Sequence, residues 1–552
     1  MTRLADLVTA DSSFSVAGAA AWNAARSKLL DAPSVKDYGA TGAGTGDDAP
    51  LIQNAFDAAP SNSELTIPPG IYLIGASGLS LVGKTNLVIR AAGAKFKISA
   101  VSDLILQSFG PCTFYFENCA NVNLLGLEID GNVIESIALG MYGCTDCGII
   151  SCYLHDAASN GGHITSRSGT RNRYENNRIT GGTNSVRGMW LGNTNSDAET
   201  DAIVTGNKCL SLPATGLGGV FNGGLIGTNL IAGNGGSGIA LSGAGSDRSR
   251  RIQVIGNICR ANAFHGIQSD TPSAGDYVEH INIIGNTCEE NDGAGIYAIR
   301  VRDSVINSNI CRDNNNDASG NADGIQLDTV KRVVVTGNNC GDTRAGASRT
   351  QQYGISVVAQ VGANDIEDLA IRDNSCVNNL TGGFIAQNSG AGTMAGLSFT
   401  GNYAVDNGSY GLVIAEASAG DITEVTVDGN HCRGNGSVDL RVDPLDAVIG
   451  VNRYGTQQAL EATFTDGDTT PSVKSRRHFI ASNSGATAIT AFDDGVIYQQ
   501  ITVRATNGNT TINNTANIIM NSGANVTLTD NSAMTFENIG SDVWIEVSRS
   551  IK

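Results

Sequence analysis

Two short segments of this chain, HGIQSD at 265–270 and DGIQLD at 323–328, end in aspartate and carry a glutamine two residues earlier. If each is a β-strand whose alternate residues face outward, Gln268 and Asp270 share one surface, and so do Gln326 and Asp328. Glycoside hydrolysis needs two carboxyl groups astride the bond, one protonated to assist the leaving group and one ionised to activate water. Between these segments stands AGIYAIR, 294–300, which places Tyr297 and Arg300 beside them. A cation holds a neighbouring carboxylate ionised, whereas an aromatic neighbour favours the protonated form. Asp270 and Asp328 are therefore the candidate catalytic pair, with Gln268, Tyr297, Arg300 and Gln326 as candidate substrate-binding residues. The alternative is that both are solvated strand-end aspartates.

Other residues join this set on weaker grounds. His265 stands beside the outward column and can touch sugar. Trp190, in RGMWLG, falls at an outward position, where an indole face offers a stacking surface or merely packs. Asp303 follows Arg300-Val301-Arg302, and either contacts substrate or pairs with those arginines. Asp323 precedes a glycine and reads as a turn aspartate. His155 and His163, in LHDAASNGGHIT, are each either a proton-abstracting base or structural. Arg248, Arg250 and Arg251, then Arg300 and Arg302, then Lys331 and Arg332, either meet an anionic sugar or bridge between neighbouring segments. No metal or cofactor is expected. Asp303, Asp323 and Asp328 make a thin calcium set, and Cys144-x-x-Cys147 has no second pair to complete a zinc site.

The elements that must position these residues come from a repeat. Asparagines at 177, 207, 234, 257, 286, 309, 338, 374, 402 and 430 recur at gaps of 23 to 36 residues, most of them behind β-branched residues. Cysteines recur with them: Cys209, Cys259, Cys288, Cys311, Cys340, Cys376 and Cys432. Short strands at such a period predict a parallel β-solenoid with coils stacked about 4.8 Å apart. A leucine-rich repeat lacks its leucine ladder here, and a helical array lacks helical periodicity. The recurring asparagine fits a turn that tolerates left-handed backbone, its amide bonding to the next copy. The cysteines read as stacked, reduced thiols that behave as small buried hydrophobes.

A second strand follows each unit behind a glycine: HGIQSD, AGIYAIR, DGIQLD, YGISVV and GGFIAQ among them. Alternation turns Ile267, Ile296, Ile325 and Ile355 inward, then Ser269, Ala298 and Leu327. Two outward columns follow, one with Trp190, Gln268, Tyr297, Gln326 and Ser356, the other with Ser242, Asp270, Ile299, Asp328 and Val358. Asp270 and Asp328 then lie two coils apart, about 9.6 Å, at the upper edge of the roughly 6.5–9.5 Å of inverting glycosidases.

Composition agrees with short strands and tight turns. Of 552 residues, 69 are glycine and only 5% are aromatic. The formal net charge of −18 argues against a nucleic-acid partner. No run of about 18 apolar residues suggests a membrane span, and Asp6 and Asp11 interrupt the opening stretch where a leader's apolar core would lie. Residues 1–33, with AGAAAWNAARSKLL, read as a short helical neck. Residues 34–454 hold the repeats, and 455–552, where cysteine vanishes, read as an antiparallel β domain.

Residues 35–74 resemble the start of the pectate-lyase-like right-handed parallel β-helix superfamily. Asp37-Tyr38-Gly39-Ala40, the glycine-rich Gly42 to Gly46, Asp47-Asp48, the helix Leu51 to Ala59, and IPPGIYLI at 67–74 match its opening pattern, and LEIDGN at 127–132 looks like an early coil. The resemblance implies an all-β right-handed parallel β-helix whose first helix caps one end, with Asp47 or Asp48 at its N-terminus. The layout further resembles bacteriophage tailspikes, as does the ending SDVWIEVSRS. That resemblance implies a homotrimer in the virion tail, joined through its N-terminus to other tail proteins. Such a spike binds and depolymerises a bacterial surface polysaccharide outside the host cell. A polysaccharide lyase on the same fold and a non-enzymatic receptor-binding fibre are the alternatives.

Overall fold

The computed structural model describes residues 33–552, apart from 107–109, 135–136, 159–161, 185, 194–196, 245–246, 271–276, 317–321, 360–364, 389–391, 417–420, 445–446, 455–460, 474–477, 496, 498 and 541, and apart from the side chains of 243, 244, 247, 270, 461 and 462. The neck expected at 1–33 lies almost wholly outside these residues. The protein is a right-handed parallel β-solenoid of about 16 turns with almost no helix. It forms two compact units, one of Met1–Ile258 with Pro272–Asp276, the other of Cys259–Thr271 with Tyr277–Lys552. Among the described residues, no helix is long and apolar enough to cross a membrane.

Each full coil supplies three strands. In the second unit, sheet 1 includes Val301–Asn307, Lys331–Thr336 and Ile366–Arg372. Sheet 2 is built from the cysteine strands, such as Thr287–Glu289, Ile310–Arg312 and Asn339–Gly341. Sheet 3 holds the strands behind the second glycine, including Ile267–Asp270, Ile296–Ile299, Ile325–Asp328 and Tyr353–Ala359. The first unit repeats this plan, with Arg250–Ile255 in sheet 1, Tyr153–His155 in sheet 2 and Arg187–Leu191 in sheet 3.

Equivalent residues stack because the strands are parallel and in register. Ile296, Ile325, Ile355, Phe384 and Leu412 follow one another in sheet 3, all fully buried. Each such side chain contributes about 1.5–3 kcal/mol by leaving water. Cys288, Cys311, Cys340 and Cys376 stack likewise in sheet 2. All twelve cysteines are free and buried, as expected for stacked thiols. Burial holds the thiols of Cys311 and Cys340 well above their ordinary range.

The turns are held by asparagine. Asn286, Asn309, Asn338, Asn374, Asn402, Asn430 and Asn452 form a ladder in the second unit, each Oδ1 from Asn309 onward accepting from the backbone N–H and the Nδ2 of the asparagine one coil before. In the first unit the ladder runs Asn177, Asn207, Asn229, Asn257. Two expectations change here. Asn234 is not a rung of this ladder; Asn229 is, and Asn234 instead accepts from Leu212 N–H in the next turn. Nor are the asparagines left-handed: the positive φ falls on the residue before, such as Gly285, Ser308, Gly337 and Asp373. That arrangement leaves each asparagine's own N–H pointing along the stack to be bonded.

At the N-terminal end, helix Ala49–Ala58 follows the glycine-rich segment and packs Phe56 on Phe114 at 5.4 Å. Asp47, not the N-cap residue Asp48, bonds the free N–H of Ala49, while Asp48 accepts from Thr41. The C-terminal strands differ from the antiparallel domain expected. Glu461–Thr463, His478–Ala481 and Gln500–Ala505 pair parallel, whereas Thr510–Ile512 pairs antiparallel with Val526–Leu528, and Ala533–Gly540 antiparallel with Gln500–Ala505 and Val543–Ser550. The parallel strands alternate with strands of a second small sheet, Thr487–Ile489 and Thr510–Ile512, so the chain is still winding there before it closes on a hairpin. These strands share a core of their own around Phe492, Phe536 and Trp544.

Replacing Asn338 by alanine strands the buried backbone N–H of Asn309 and one hydrogen of its Nδ2, the other being donated to Ile283 O. We expect Asn338→Ala to lose about 2–4 kcal/mol in urea unfolding, and the exposed neighbour Asn339→Ala to stay within about 0.5 kcal/mol. Equal losses would show that the ladder contributes nothing specific.

Candidate functional site

Because the inward positions of sheet 3 are taken by isoleucine and its equivalents, the chemistry of its strands falls on the outward face. In the second unit this face has three columns. The first holds the residues preceding each strand's glycine: His265, Ala294, Asp323, Tyr353, then Gly382 and Tyr410. They are aligned by Gly266, Gly295 and Gly324 N–H groups bonding to the next coil and by strand register beyond. The second column runs Gln268, Tyr297, Gln326, Ser356, Ile385, as the alternation predicted. The third runs Ile299, Asp328, Val358, Gln387.

His265 and Tyr297 form the upper part of the site. Their rings are 4.6 Å apart and tilted by 36°. His265 Nδ1 accepts the Ala294 N–H at 2.9 Å, so the neutral ring carries its hydrogen on Nε2. Burial pushes this imidazole down to about 4, which keeps it neutral near pH 7. His265 is thus a fixed neutral donor. Gln268, Tyr297 and Gln326 are half-buried beside it.

Asp323 is the ionisable group that sequence reasoning set aside. It is 4% exposed, and its Oδ1 accepts the Tyr353 N–H at 2.9 Å. Its Oδ2 contacts the hydroxyl of Ser356, itself 2% exposed. Burial pushes the Asp323 carboxyl up to about 7, against the opposing bonds from Ser356 and Tyr353. A proton on this carboxyl sits on Oδ2, toward Ser356, because Oδ1 is engaged by an N–H. Tyr353 is pushed up to about 12, chiefly by burial and then by the Asp323 charge. Its ring lies over Gly382, where a Cβ would come within 2.9 Å of Cδ1.

The remaining predicted residues are distributed as follows. Asp328 is in the third column as expected, yet it is 1% exposed and its Oδ1 accepts the Thr329 hydroxyl at 2.8 Å. Asp270 ends its strand, and its side chain lies outside the described part of the structure. Asp323 and Asp328 are five residues apart on one chain segment, about 16 Å, so they do not face each other across one bond. Arg300 is the half-buried corner residue after its strand, its N–H donating to Asp328 O at 2.9 Å. Asp303 is not on this face. It lies in the sheet 1 strand Val301–Asn307, where Arg332 pairs with both its oxygens at 2.6 and 2.9 Å and holds its carboxyl below the usual range.

Trp190 belongs to sheet 3 of the first unit. The Arg187 guanidinium lies over its ring at 4.2 Å, and Gly218 leaves room for the indole on the next coil. In sheet 2 of that unit, His155 stacks on Tyr153 at 4.5 Å. Its Nδ1 faces Asp156 at 2.8 Å and its Nε2 faces Glu128 at 3.1 Å, with Asp130 at 4.0 Å. Asp130, His155 and Asp156 are the one group of described residues placed closely enough to share a metal ion. Lys95 stands 3.7 Å from Asp130 and already supplies a cation there. His163 is fully buried, Nε2 accepting from Ala157 and Nδ1 facing Arg187 O, which makes it structural.

No protein-family profile matches the sequence, and no curated protein matches it. Among solved structures it is similar to the A-module of an Azotobacter vinelandii mannuronan C-5 epimerase, 18% identical over 65% of this chain and 97% of that one, TM-score 0.47. It is similar also to the Dettilon tailspike protein, 17% identical over 68% and 71%, TM-score 0.46. A third is PfbA, a surface adhesin of Streptococcus pneumoniae, 12% identical over 94% and 99%, TM-score 0.43. These are likenesses of coil architecture.

A carboxyl raised in the folded state retains a proton that the unfolded chain has released, so its stabilising contribution falls as pH rises. For Asp323 this loss runs from about 3.8 to about 7 and is complete above. Asp323→Asn should therefore gain stability relative to the parent between pH 4.5 and pH 8 in urea unfolding. A difference that stays constant across that range would mean the carboxyl is not raised.

Proposed function

We propose that the second unit binds a polysaccharide along the outward face of sheet 3 and hydrolyses its glycosidic bonds. The observation that carries this reading is Asp323, a carboxyl raised to about 7 on a face that also presents neutral donors and a tyrosine ring. Protonating the leaving oxygen is one of the two tasks of this reaction, and it needs an acid that keeps its proton near neutral pH. His265 Nε2–H, Gln268 and Gln326 offer hydrogen bonds to sugar hydroxyls, and Tyr297 offers an apolar ring face. Arg300 stands at the edge of the same face.

Asp270 and Asp328 remain the proposed carboxylate pair of the third column, two coils apart. Asp323 lies too far along the strand to be the partner of Asp328. The two acids are therefore rival proton donors, and Asp323 is favoured because its environment retains the proton. The motif at 35–74 and the layout further support placing the chain, as a homotrimer, in a phage tail acting on a bacterial surface polysaccharide. A lyase reading has one observation in its favour, the Tyr153–His155 pair between Glu128 and Asp156. Both nitrogens of that histidine face carboxylates, Nδ1 toward Asp156 and Nε2 toward Glu128, so neither is turned toward a substrate.

The test is hydrolysis of purified capsule or O-antigen preparations, read as new reducing ends. Asp323→Asn should lower kcat about 10²–10⁴-fold and remove a fall in rate above about pH 7. If Asp323→Asn keeps full rate while Asp328→Asn or Asp270→Asn loses it, the third-column pair is the catalyst instead. New ends that absorb in the ultraviolet and vanish in His155→Ala would establish the lyase.

A further inference from the structure

Several exposed arginines described in this chain are matched with carboxylates across neighbouring coils: Arg171 with Asp146, Arg312 with Glu289, Arg332 with Asp303. Arg250 and Arg251, in sheet 1 of the first unit, depart from that pattern. Arg250 Nε donates to Asn222 Oδ1 at 3.0 Å, and Arg251 Nη2 donates to the same oxygen at 2.6 Å. Two guanidinium groups thus converge on one neutral amide oxygen. Among the described residues neither has a carboxylate within 4 Å, in a chain of net charge −18. Gathering like charges without a counter-ion is unfavourable, and each guanidinium retains donors that the amide cannot use.

The surroundings favour a ligand with an apolar side. Asn222 is opposite Arg250 in the strand register, and the same strands align Ile203, Leu225 and Gln253 on the outward face. Ile203 is 37% exposed. Gly223, the residue before Arg251 in the stacked column, has a φ of +89° and lies under the Asp201 carboxylate of the coil before, whose Oδ1 would stand 2.1 Å from a Cβ there. A planar carboxylate accepts two parallel N–H bonds from a guanidinium fork, and the C–H face of a pyranose ring suits an aliphatic ledge. A nucleic acid, with dense charge, is disfavoured by the overall negative field.

We propose that Arg250 and Arg251, held by Asn222, form a subsite for a carboxylate-bearing sugar of an anionic glycan. This rests on the reading that the chain acts on polysaccharide, and assigns it an acidic one. The subsite acts in binding alone, and no bond is made or broken there.

The experiment is calorimetric titration of the full chain with oligogalacturonate, and with maltooligosaccharide of equal length as the neutral arm, at low and moderate salt. The parent should bind the acidic oligomer more tightly, and Arg250→Gln with Arg251→Gln together should weaken it about tenfold or more, as losing charge-assisted bonds does. Arg332→Gln, which removes a cation already paired with Asp303, should leave binding unchanged, and thermal melts should show all variants folded. Binding is read as heat and hydrolysis as new reducing ends, so loss of hydrolysis and loss of this subsite are separately readable. Equal binding of the two oligomers by the parent, or full binding by the double variant, would overturn the proposal.

Discussion

Everything in this molecule depends on the asparagine ladder. A solenoid coil must turn sharply three times, and each corner exposes backbone groups that no sheet can pair. A buried side-chain amide solves this, since its oxygen accepts from the N–H and amide of the coil before while its nitrogen donates onward. Because each rung completes its neighbour, residue position is fixed coil by coil, and the register of all three sheets follows. Insertions between corners are tolerated so long as the rungs meet. The second unit has two such ladders, and one rung of the second is Gln351, which reaches from Asn314 to Asn379 after a longer loop.

That fixed register is what makes an exposed face chemically useful. Inward positions must be apolar in every coil, so variation is confined to outward columns. Asp323 gains its raised carboxyl from this arrangement. Its own coil is packed between neighbours, and among the described residues the bonds offered to it are one N–H and one hydroxyl. Asp303, of the same residue type on another face, meets a full guanidinium and is lowered instead. The difference lies in which column each residue enters, not in its local sequence.

Much of this was legible from residue types. The solenoid, the stacked cysteines and the order Gln268, Tyr297, Gln326, Ser356 followed from the repeat and from strand alternation. The second ladder was also written plainly, five residues after the first: Asn229 with Asn234, Asn257 with Asn262, Asn286 with Asn291, Asn402 with Asn407. Reading Asn234 as a first-ladder rung hid that offset. Asp323 was missed for a related reason. It precedes a glycine, which suggests a turn, but His265 and Tyr353 precede the equivalent glycines and share its column.

The sequence by itself determined the coil, because a period, an alternation and a ladder are properties of residue order. It determined too that an acidic, strand-rich chain would keep its chemistry on outward positions. Tertiary structure alone decided which carboxyl is buried, which is paired and which cation is left with a neutral partner. Those outcomes turn on neighbours about 4.8 Å away in space and some 23 to 36 residues away in sequence, and on solvent access that no local pattern encodes.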